Sequence, residues 1–476
     1  MTIPCPGPFR SLYEAVWKIE EELGLLQRQI AGTYYWPLIR PRLLDMLSQR
    51  LGLLDLVQGR LRQGILRRTA SELSPLLSHR KLSPWKLSGQ FDTVLIPFTR
   101  KQMRGGLGVD VFSDRIMNEP EFGRLLVLDS CKISPMYRSA PGRFVRSRDY
   151  LSAQALIRAV GRASLLLPAV RRHRDDLGAA FKRRLGVDCP LSAEHFALRI
   201  AYFDEGRILG RRLMQPLGAR RLAYVGTHGP SGLVAAAQDL GMETVELQHG
   251  LITPYHPAYH FVGRPHVPYA PDRLLTVGEF WECSAELPGN TRTSVIGSEE
   301  IHRASLGAVA KVAGRVVVLS QGTVGQHLLR AALSLAQKMP DREIVFRPHP
   351  QQRLGGPEQA YGAGFPAPPN FRVSGDHEDL HVLLAGSSVQ IGVYSTSLVE
   401  GMVLGVRTVV LAAPGWEHFE EIVRQGDAAL AETVEDIAAM LDSAPLARQT
   451  DRYYARPVPS IATLLSIAAR GAQAGG

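Results

Sequence analysis

The chain has 476 residues, of which 45% are hydrophobic and 21% charged, and its formal net charge is +10. These values are ordinary for a globular protein, and the length predicts two or three domains at roughly 100–200 residues each. A disordered chain, a collagen and a small disulfide scaffold are therefore excluded. Four widely spaced cysteines that form no C-x-x-C pair fit a reducing cytoplasm.

Two further features bear on location and partners. The longest apolar runs, such as Leu165–Val170, fall well short of the roughly 18 residues that a membrane span needs. The N-terminal segment also lacks the pattern of a secretory signal peptide, so we expect a cytoplasmic protein. The sequence contains clusters of arginine, such as Arg171-Arg172 and Arg183-Arg184, but no nucleic-acid-binding signature accompanies them. Nucleic acid is therefore not an expected partner. The basic stretch at 151–186 is expected to lie in solvent or peripherally on an anionic inner membrane.

The predicted elements begin with a helical extension, residues 1–90, in which Leu and Ile recur at three- and four-residue spacing from about residue 10 to 80. From Phe91 the pattern changes, since DTVLIPFTR and LLVLDS are short apolar runs typical of buried parallel strands. Long amphipathic helices are predicted at 151–186 and 191–215, and Pro168 should kink or split the first.

Strands and helices then alternate to the end of the chain. A βαβ unit is predicted with strands at Leu222–Val225 and Thr244–Leu247. The second half repeats the pattern in GRVVVLSQGT, REIVFRPHP, VQIGVYSTS and RTVVLAAPG. This alternation predicts an α/β fold of two doubly wound, Rossmann-like domains, at 91–300 and 301–476, the second ending in C-terminal helices. A ligand should lie in the cleft between them.

Three polar motifs in the second half follow predicted strands, where a helix N-terminus offers N–H groups to an anion. The first motif, SQGT, comprises Ser320, Gln321, Gly322 and Thr323. The second, RPHP, supplies the guanidinium of Arg347 and the imidazole of His349. The third, YSTSLVEG, supplies hydroxyl groups and, one helical turn later, a carboxylate that could bind sugar hydroxyls: Ser395, Thr396, Ser397 and Glu400. Together the motifs predict a phosphate-binding site.

Candidate acid–base groups lie in the first half. His249 and Glu246 occur in ELQHG, at the end of a predicted strand, and Asp110 and Asp114 are alternative bases. The histidines between 228 and 266 do not have a standard ligand spacing, so no metal site is expected. The expected acceptor pocket consists of polar and aromatic residues near these groups: Arg100, Arg104, Gln248, Gly250, Tyr255 and His256.

The order of these motifs resembles that of bacterial surface-polysaccharide glycosyltransferases of the GT-B type. The motifs are similar to those of the capsule-polysaccharide biosynthesis proteins, including CMP-Kdo and CMP-sialic acid transferases, and more distantly to those of teichoic-acid glycerophosphate transferases. The resemblance covers roughly residues 91–430 and leaves residues 1–90 unexplained. It implies that His349 and the hydroxyl of Ser395, Thr396 or Ser397 bind the donor's cytidine phosphate, that Ser320, Gly322 and Thr323 line the same pocket, and that His249 is the base.

The resemblance implies a metal-independent glycosyltransferase that moves a sugar from a nucleotide-activated donor, with a CMP-linked acid sugar favoured, to a polysaccharide or lipopolysaccharide acceptor. No cofactor beyond this substrate is expected. The 91–300 domain would serve the acceptor and the 301–476 domain the donor. Three alternatives remain: a transferase that uses a CDP-linked polyol phosphate, a sugar-nucleotide epimerase, and a non-catalytic scaffold of a polysaccharide assembly complex. The sequence does not decide between retention and inversion of configuration.

Overall fold

The structure is a computed structural model that describes residues 7–54, 72–99, 101–104, 107–131, 134–226, 232–349, 368–375 and 377–466. Its framework consists of two parallel β-sheets with helices on both faces. We call the half built on the first sheet the N lobe and the half built on the second sheet the C lobe. The predicted α/β fold class is confirmed: both halves are doubly wound, Rossmann-like units.

The N-lobe sheet has seven strands in the order β11-β10-β9-β8-β3-β6-β7, and every pair in it is parallel. Strands β3, β6, β8, β9 and β10 are almost entirely buried because helices cover both faces. The strands are β3 (Thr93–Ile96), β6 (Leu125–Asp129), β7 (Arg143–Ser147), β8 (Arg221–Val225), β9 (Glu243–Leu247), β10 (Arg273–Thr276) and β11 (Arg292–Val295).

The C-lobe sheet has six parallel strands in the order β14-β13-β12-β15-β16-β17. Valine and isoleucine dominate these strands, as expected for strands buried on both faces. They are β12 (Val316–Leu319), β13 (Ile344–Arg347), β14 (Phe371–Val373), β15 (Val389–Gly392), β16 (Arg407–Leu411) and β17 (Ala429–Ala431). Two antiparallel hairpins lie outside both sheets: β1 (Gln29–Ile30) with β2 (Thr33–Tyr34), and β4 (Gln102–Arg104) with β5 (Leu107–Val109).

The helices of the N lobe and of the preceding extension are α1 (Pro8–Leu23), α2 (Trp36–Arg50), α3 (Pro75–Ser78), α4 (Asp114–Asn118), α5 (Arg148–Leu185), α6 (Ala193–Met214), α7 (Gly232–Asp239) and α8 (Phe280–Cys283). Those that follow are α9 (Glu299–Leu306), α10 (Gly325–Lys338), α11 (Leu380–Ala385), α12 (Thr396–Val403), α13 (Glu420–Arg424) and α14 (Val434–Met440). A further helix covers 461–466.

Helix α5 is continuous over its 38 residues, with Pro168 inside it, so of the two predicted effects of this proline a split does not occur. Ser147 caps the helix by accepting a hydrogen bond from the backbone N–H of Tyr150, and Gly186 ends it in the left-handed conformation. Among the described residues, α5 alone is long and apolar enough to cross a membrane, judged by length and composition only.

The extension is helical in part, as predicted, but Ile30 lies in a hairpin instead of a helix. Helices α1 and α2 share one hydrophobic core with α5 and α6. At the other end of the chain, Ile461, Ala462 and Leu465 pack into the core of the N lobe. The domain limits at residues 90 and 300 remain a prediction.

Candidate functional site

Each sheet has one point at which its strand order changes direction, between β3 and β8 in the N lobe and between β12 and β15 in the C lobe. In doubly wound folds, ligands bind beyond the carboxyl ends of the strands at such a point. The SQGT segment follows β12 and the YSTS segment follows β15, while His249 lies beyond β9, next to β8. The topology therefore places the main predicted motifs at ligand-binding edges.

The SQGT and YSTS segments are joined side by side in the C lobe. The side chain of Gln321 donates to the carbonyl of Tyr394 at 3.1 Å and accepts from its backbone N–H at 3.3 Å. The hydroxyl groups of Thr323 and Tyr394 are also hydrogen-bonded. Ser395 caps α12 by accepting the backbone N–H of Ser397 at 3.2 Å. Gly322 and Thr396 are half-buried beside these groups, so hydroxyls and a helix N-terminus face one site.

The RPHP segment begins at the last residue of β13. Nη1 of Arg347 donates to Ser374 Oγ at 2.6 Å and to the carbonyls of Gly375 and Glu378 at 2.9 Å each. This nitrogen thus anchors the loop after β14, which the prediction of a phosphate-binding guanidinium did not foresee. His349 is half-buried beyond the strand, and Ser320 is buried at the neighbouring strand end, where its N–H donates to the Arg347 carbonyl.

Glu400 lies on α12, one turn after Thr396, as predicted. Its carboxylate is 3.3 Å from Nε2 of His381, whose Nδ1 is 3.6 Å from Glu300. Burial alone would lower the pKa of His381, but the hydrogen bond to Glu400 and the nearby carboxylates outweigh burial and raise it. Part of the Glu400 carboxylate is therefore engaged by His381.

His249 occupies the switch point of the N lobe. Its ring centroid lies 5.5 Å from that of Phe98, which follows β3, and 6.4 Å from that of Phe112. On the β8 side, a Cβ atom added to Gly226 would lie 1.8 Å from Nδ1 of His249. The ring therefore needs a glycine at residue 226, a requirement of close approach rather than of unusual backbone angles.

The motifs of the two lobes meet beside His249. A Cβ atom on Gly250 would lie 4.0 Å from Oγ1 of Thr396, at the N-terminus of α12. A second bridge between the lobes joins Oγ1 of Thr253 to Nδ1 of His418 at 2.7 Å. The segment after β9 and the start of α12 therefore border one cleft.

Glu246 lies only three residues before His249 but is enclosed within the N lobe. Its carboxyl group accepts hydrogen bonds from Tyr259 at 2.6 Å and Tyr224 at 3.3 Å, beside a cavity of about 50 Å³. Burial raises its pKa to about 7. Alternation along β9 directs this group away from the cleft, which argues against its predicted role as the base.

The carboxyl group of Asp110 is also buried and holds a loop together. It accepts the backbone N–H groups of Phe98 at 2.8 Å and Phe112 at 3.1 Å, and the hydroxyl of Ser113. This bonding leaves Asp110 a structural group rather than the predicted base. Asp114 is the first residue of α4 and accepts from Asn118 at 3.0 Å.

The prediction also placed Arg100 and Arg104, which precede these aspartates, in the acceptor pocket. Arg100 lies outside the described residues, and Arg104 is described only as the last residue of strand β4. The predicted acceptor role of this segment therefore depends on its position beyond β3.

The remaining predicted acceptor residues have structural contacts. Gln248 is buried and fixes the turn, since its Nε2 donates to the Gly250 carbonyl at 2.8 Å and its Oε1 accepts the Val277 N–H at 2.9 Å. Tyr255 is buried against α1, and burial raises its pKa to about 12. The ring centroid of His256 lies 4.5 Å from that of Tyr259. These residues therefore shape the loop that carries His249 and Gly250.

Two residues of the cleft were not predicted from the sequence. His418 is stacked on Tyr394, with ring centroids 4.9 Å apart and planes 20° apart, and burial lowers its pKa to about 3. It occurs in GWEHFEE, after β16, where the turn at Gly415 was the only signal. Tyr394 belongs to the YSTS motif, but its ring was not expected to form the wall between the lobes.

No family model matches the chain, and no curated protein sequence matches it. Among solved structures it is similar to UDP-GlcNAc 2-epimerase from Methanocaldococcus jannaschii, at 10% identity and TM-score 0.41, over 80% of this chain and 100% of that one. MurG from Acinetobacter baumannii matches at 12% identity and TM-score 0.41, over 80% and 99%. Spinosyn rhamnosyltransferase SpnG matches at 13% identity and TM-score 0.43, over 80% and 100%.

Proposed function

We propose that this protein is a glycosyltransferase that moves a sugar from a nucleotide-activated donor, with a CMP-linked acid sugar favoured, to a surface polysaccharide or lipopolysaccharide acceptor. The observation that carries the proposal is the approach of the two switch points, where Gly250 faces Thr396 across the cleft. One side offers hydroxyls and a helix N-terminus, which suit a phosphate. The other offers the half-buried imidazole of His249, which suits an acceptor hydroxyl.

The chemistry divides between the lobes. Departure of the nucleotide requires stabilisation of negative charge on its phosphate, and the N-terminus of α12, Ser395, Thr396 and His349 supply donors there. His249 takes the proton of the acceptor hydroxyl as the bond to the sugar forms. In this scheme the donor phosphate is neutralised by protein groups, and the reaction needs no metal ion at that position.

The proposal is tested by incubating the protein with CMP-, UDP- and CDP-linked donors and a glycan acceptor and identifying the nucleotide that is released. Release that depends on the acceptor, with CMP-linked donors preferred, is expected. Isomerisation of the sugar without an acceptor would instead identify an epimerase, and formation of a phosphodiester a polyol-phosphate transferase. The absence of any turnover would favour a scaffold.

Two histidines of the same segment give a matched pair of variants. His249→Ala should lower kcat/KM at least 100-fold, because a positioned base contributes about that much. His266→Ala, at an exposed position of the same loop region, should retain activity. Equal activity of the two variants would rule out His249 as the base.

We also propose that helix α5 docks the enzyme on an anionic membrane, where a lipid-linked acceptor would be presented. Three apolar residues of α5 are exposed, Ile157 by 52%, Val160 by 62% and Leu165 by 79%, and Arg171 and Arg172 are exposed further along. An apolar stripe beside arginines suits the boundary between headgroups and acyl chains. Arg162 pairs with Asp204 and Glu205 of α6 at 3.4 and 3.3 Å, which favours a helix lying on the surface over one crossing it.

Vesicle co-sedimentation tests the docking surface. Leu165→Glu should weaken binding to vesicles that contain phosphatidylserine, since it replaces an inserting apolar group by a charge that the lipid repels. Leu306→Glu changes an equally exposed leucine on α9 and should bind as the wild type does. Added salt should weaken wild-type binding. Binding that is independent of both Leu165 and salt would contradict the proposal.

A further inference from the structure

A cluster of three different metal-ligating side chains lies in the N lobe, outside the proposed reaction site. It consists of His79, Cys131 and Asp149, and one ligand atom of each lies within 4.8 Å of the other two. Cys131 follows β6, Asp149 lies in the first turn of α5 after β7, and His79 ends α3. Strands β6 and β7 lie on the far side of β3 from β8 and β9, so the cluster is set apart from His249 along the same sheet.

The distances between the ligand atoms fit a tetrahedral ion with little rearrangement. Sγ of Cys131 and Nε2 of His79 are 3.1 Å apart. With Zn–S and Zn–N bonds of about 2.3 and 2.0 Å, the two atoms would be about 3.5 Å apart around zinc, so they need to separate by only about 0.4 Å. Asp149 is 3% exposed and Cys131 is exposed, which leaves the fourth position open toward solvent.

Neighbouring groups hold each side chain in a ligating orientation. Nδ1 of His79 is hydrogen-bonded to Oγ of the buried Ser147 at 2.7 Å. When Nδ1 carries the proton, the lone pair of Nε2 points toward Cys131. Asp149 accepts the hydroxyl of Ser130 at 2.7 Å and the backbone N–H of Cys131 at 3.0 Å. Outer partners of this kind fix ring orientation and ligand basicity in metal sites.

The same contacts argue against a catalytic Cys–His–Asp triad. In such a triad the carboxylate orients the histidine, which then activates the thiol. Here the histidine is oriented by Ser147, and the carboxylate of Asp149 is bonded to Ser130 and to the backbone of Cys131. The three side chains are arranged around a common point rather than in a line.

We propose that His79, Cys131 and Asp149 form a binding site for a divalent transition metal, with zinc the best match to one nitrogen, one sulfur and one oxygen donor. Three protein ligands plus one open position are typical of zinc sites that bind water or a substrate group. Hard cations such as magnesium prefer oxygen ligands alone. The ion would also tie the extension, through His79, to the N-lobe sheet.

The site is tested on the full-length protein, stripped with a chelator and titrated with Zn²⁺ or Co²⁺ alone. We expect one equivalent bound and, with Co²⁺, a thiolate-to-metal charge-transfer band. Cys131→Ser should abolish that band, while Cys283→Ser, at another exposed cysteine, should leave it unchanged. Ser130→Ala should weaken binding about 10-fold through Asp149. A band that survives Cys131→Ser, or that never forms in the wild type, would overturn the proposal.

A second measurement keeps the proposal testable if Cys131→Ser fails to fold. Wild-type protein is alkylated with and without Zn²⁺, and modification of each cysteine-containing peptide is followed by mass spectrometry. Zinc should slow alkylation of Cys131 at least 10-fold and leave Cys283 unaffected. Equal protection of both cysteines, or protection of neither, would refute a site at Cys131.

Discussion

At the scale of single residues, the position of His249 in the cleft depends on the lack of a side chain at Gly226. The ring of His249 occupies the space in which a Cβ atom of residue 226 would lie, only 1.8 Å from Nδ1. Phe98 and Phe112 limit the ring on the other side. The imidazole is thus held by packing, and its position is sensitive to changes that leave its own chemistry intact.

This contact leads to a prediction about activity. Gly226→Ala should displace His249 and lower kcat/KM about 100-fold, the contribution of a positioned base. Gly161→Ala is the control, because a Cβ atom there meets no atom within 4 Å and alanine favours a helix. Steady-state kinetics and circular dichroism of both variants test the idea. A Gly226→Ala enzyme with wild-type activity would show that the ring need not lie where the structure has it.

Glu246 gives a prediction about stability and pH. Burial raises its folded-state pKa to about 7, from an ordinary value of 4.5. Between these pH values the folded protein holds a proton that the unfolded chain has lost, so stability falls as pH rises and stays reduced above pH 7. The loss reaches about 3 kcal/mol at 1.36 kcal/mol per pKa unit.

Glu246→Gln replaces the titrating carboxyl group by an amide and should flatten the pH dependence of stability. Gln can still accept hydrogen bonds from Tyr259 and Tyr224, so the change isolates the charge. Urea unfolding at about pH 5 and about pH 8 compares the two proteins, and the wild type should lose more stability by about 3 kcal/mol. Parallel pH profiles would mean that Glu246 is ionised in the folded protein throughout this range.

At the scale of elements, α1 joins the two lobes. Phe9 lies 6.0 Å from Tyr255 of the N lobe and 5.8 Å from His418 of the C lobe, measured between ring centroids. Arg10 forms an ion pair with Glu420 at 2.5 Å. Further along the helix, the ring of Trp17 is 4.7 Å from that of His260. The extension is therefore part of the wall behind the cleft.

Phe9→Ala should destabilise the protein by about 3 kcal/mol, the usual cost of removing a buried phenylalanine. It should also raise the KM for the donor, because His418 and Tyr394 lose support behind the YSTS segment. Leu77→Ala changes an extension residue that is 85% exposed and should alter neither quantity. Chemical denaturation and donor kinetics provide the measurements. A Phe9→Ala protein with lower stability but unchanged donor KM would confine the helix to a structural role.

The elements differ in how far the sequence predicts them. The strands β8, β9, β12, β13, β15 and β16 could be predicted because each is an apolar run that ends in a turn, and the motifs beyond β12 and β15 meet because parallel strands end at one edge. The orientation of Glu246 could have been inferred from alternation along β9, since its odd separation of three residues from His249 predicts that the two side chains point to opposite faces. The ring of His418 depends on packing between distant segments, which local patterns do not record. The bonding of Asp110 depends on how its loop folds back onto Phe98.

The metal cluster, too, could not be predicted from local sequence patterns. A sequence search for metal sites relies on short, defined spacings between ligands. His79, Cys131 and Asp149 come from three separate segments. Cys131 and Asp149 converge because β6 and β7 are adjacent and parallel, and His79 of the extension joins them beside Ser147. No spacing rule would find them, and the expectation of no metal site rested on such a rule.

At the scale of the whole molecule, the chain passes between the lobes more than once. After β17 it returns to the N lobe, where Arg115 donates to the carbonyl of Val458. The carboxylate of Glu119 accepts hydrogen bonds from backbone N–H groups in the first turn of the helix at 461–466. Together with α1, this return ties the N lobe to the C lobe at positions away from the cleft. The relative position of the lobes, and hence the gap between Gly250 and Thr396, depends on these ties.

Glu119 provides the last prediction, because its carboxylate accepts from the Ser460 hydroxyl and the backbone N–H groups of Ile461 and Ala462 at 3.0–3.1 Å. Glu119→Ala leaves these donors without their acceptor and should cost about 1–3 kcal/mol. Hydrogen exchange at 458–466 should accelerate about 10-fold or more, because each 1.4 kcal/mol of local stability is tenfold in the opening equilibrium. Exchange at β12 and β15 should not change.

Glu121→Ala, at an exposed position two residues away, is the control and should exchange as the wild type does. If the helix stays equally protected in Glu119→Ala, the apolar contacts of Ile461 and Leu465 hold the return segment by themselves, and the carboxylate has no part in setting the cleft.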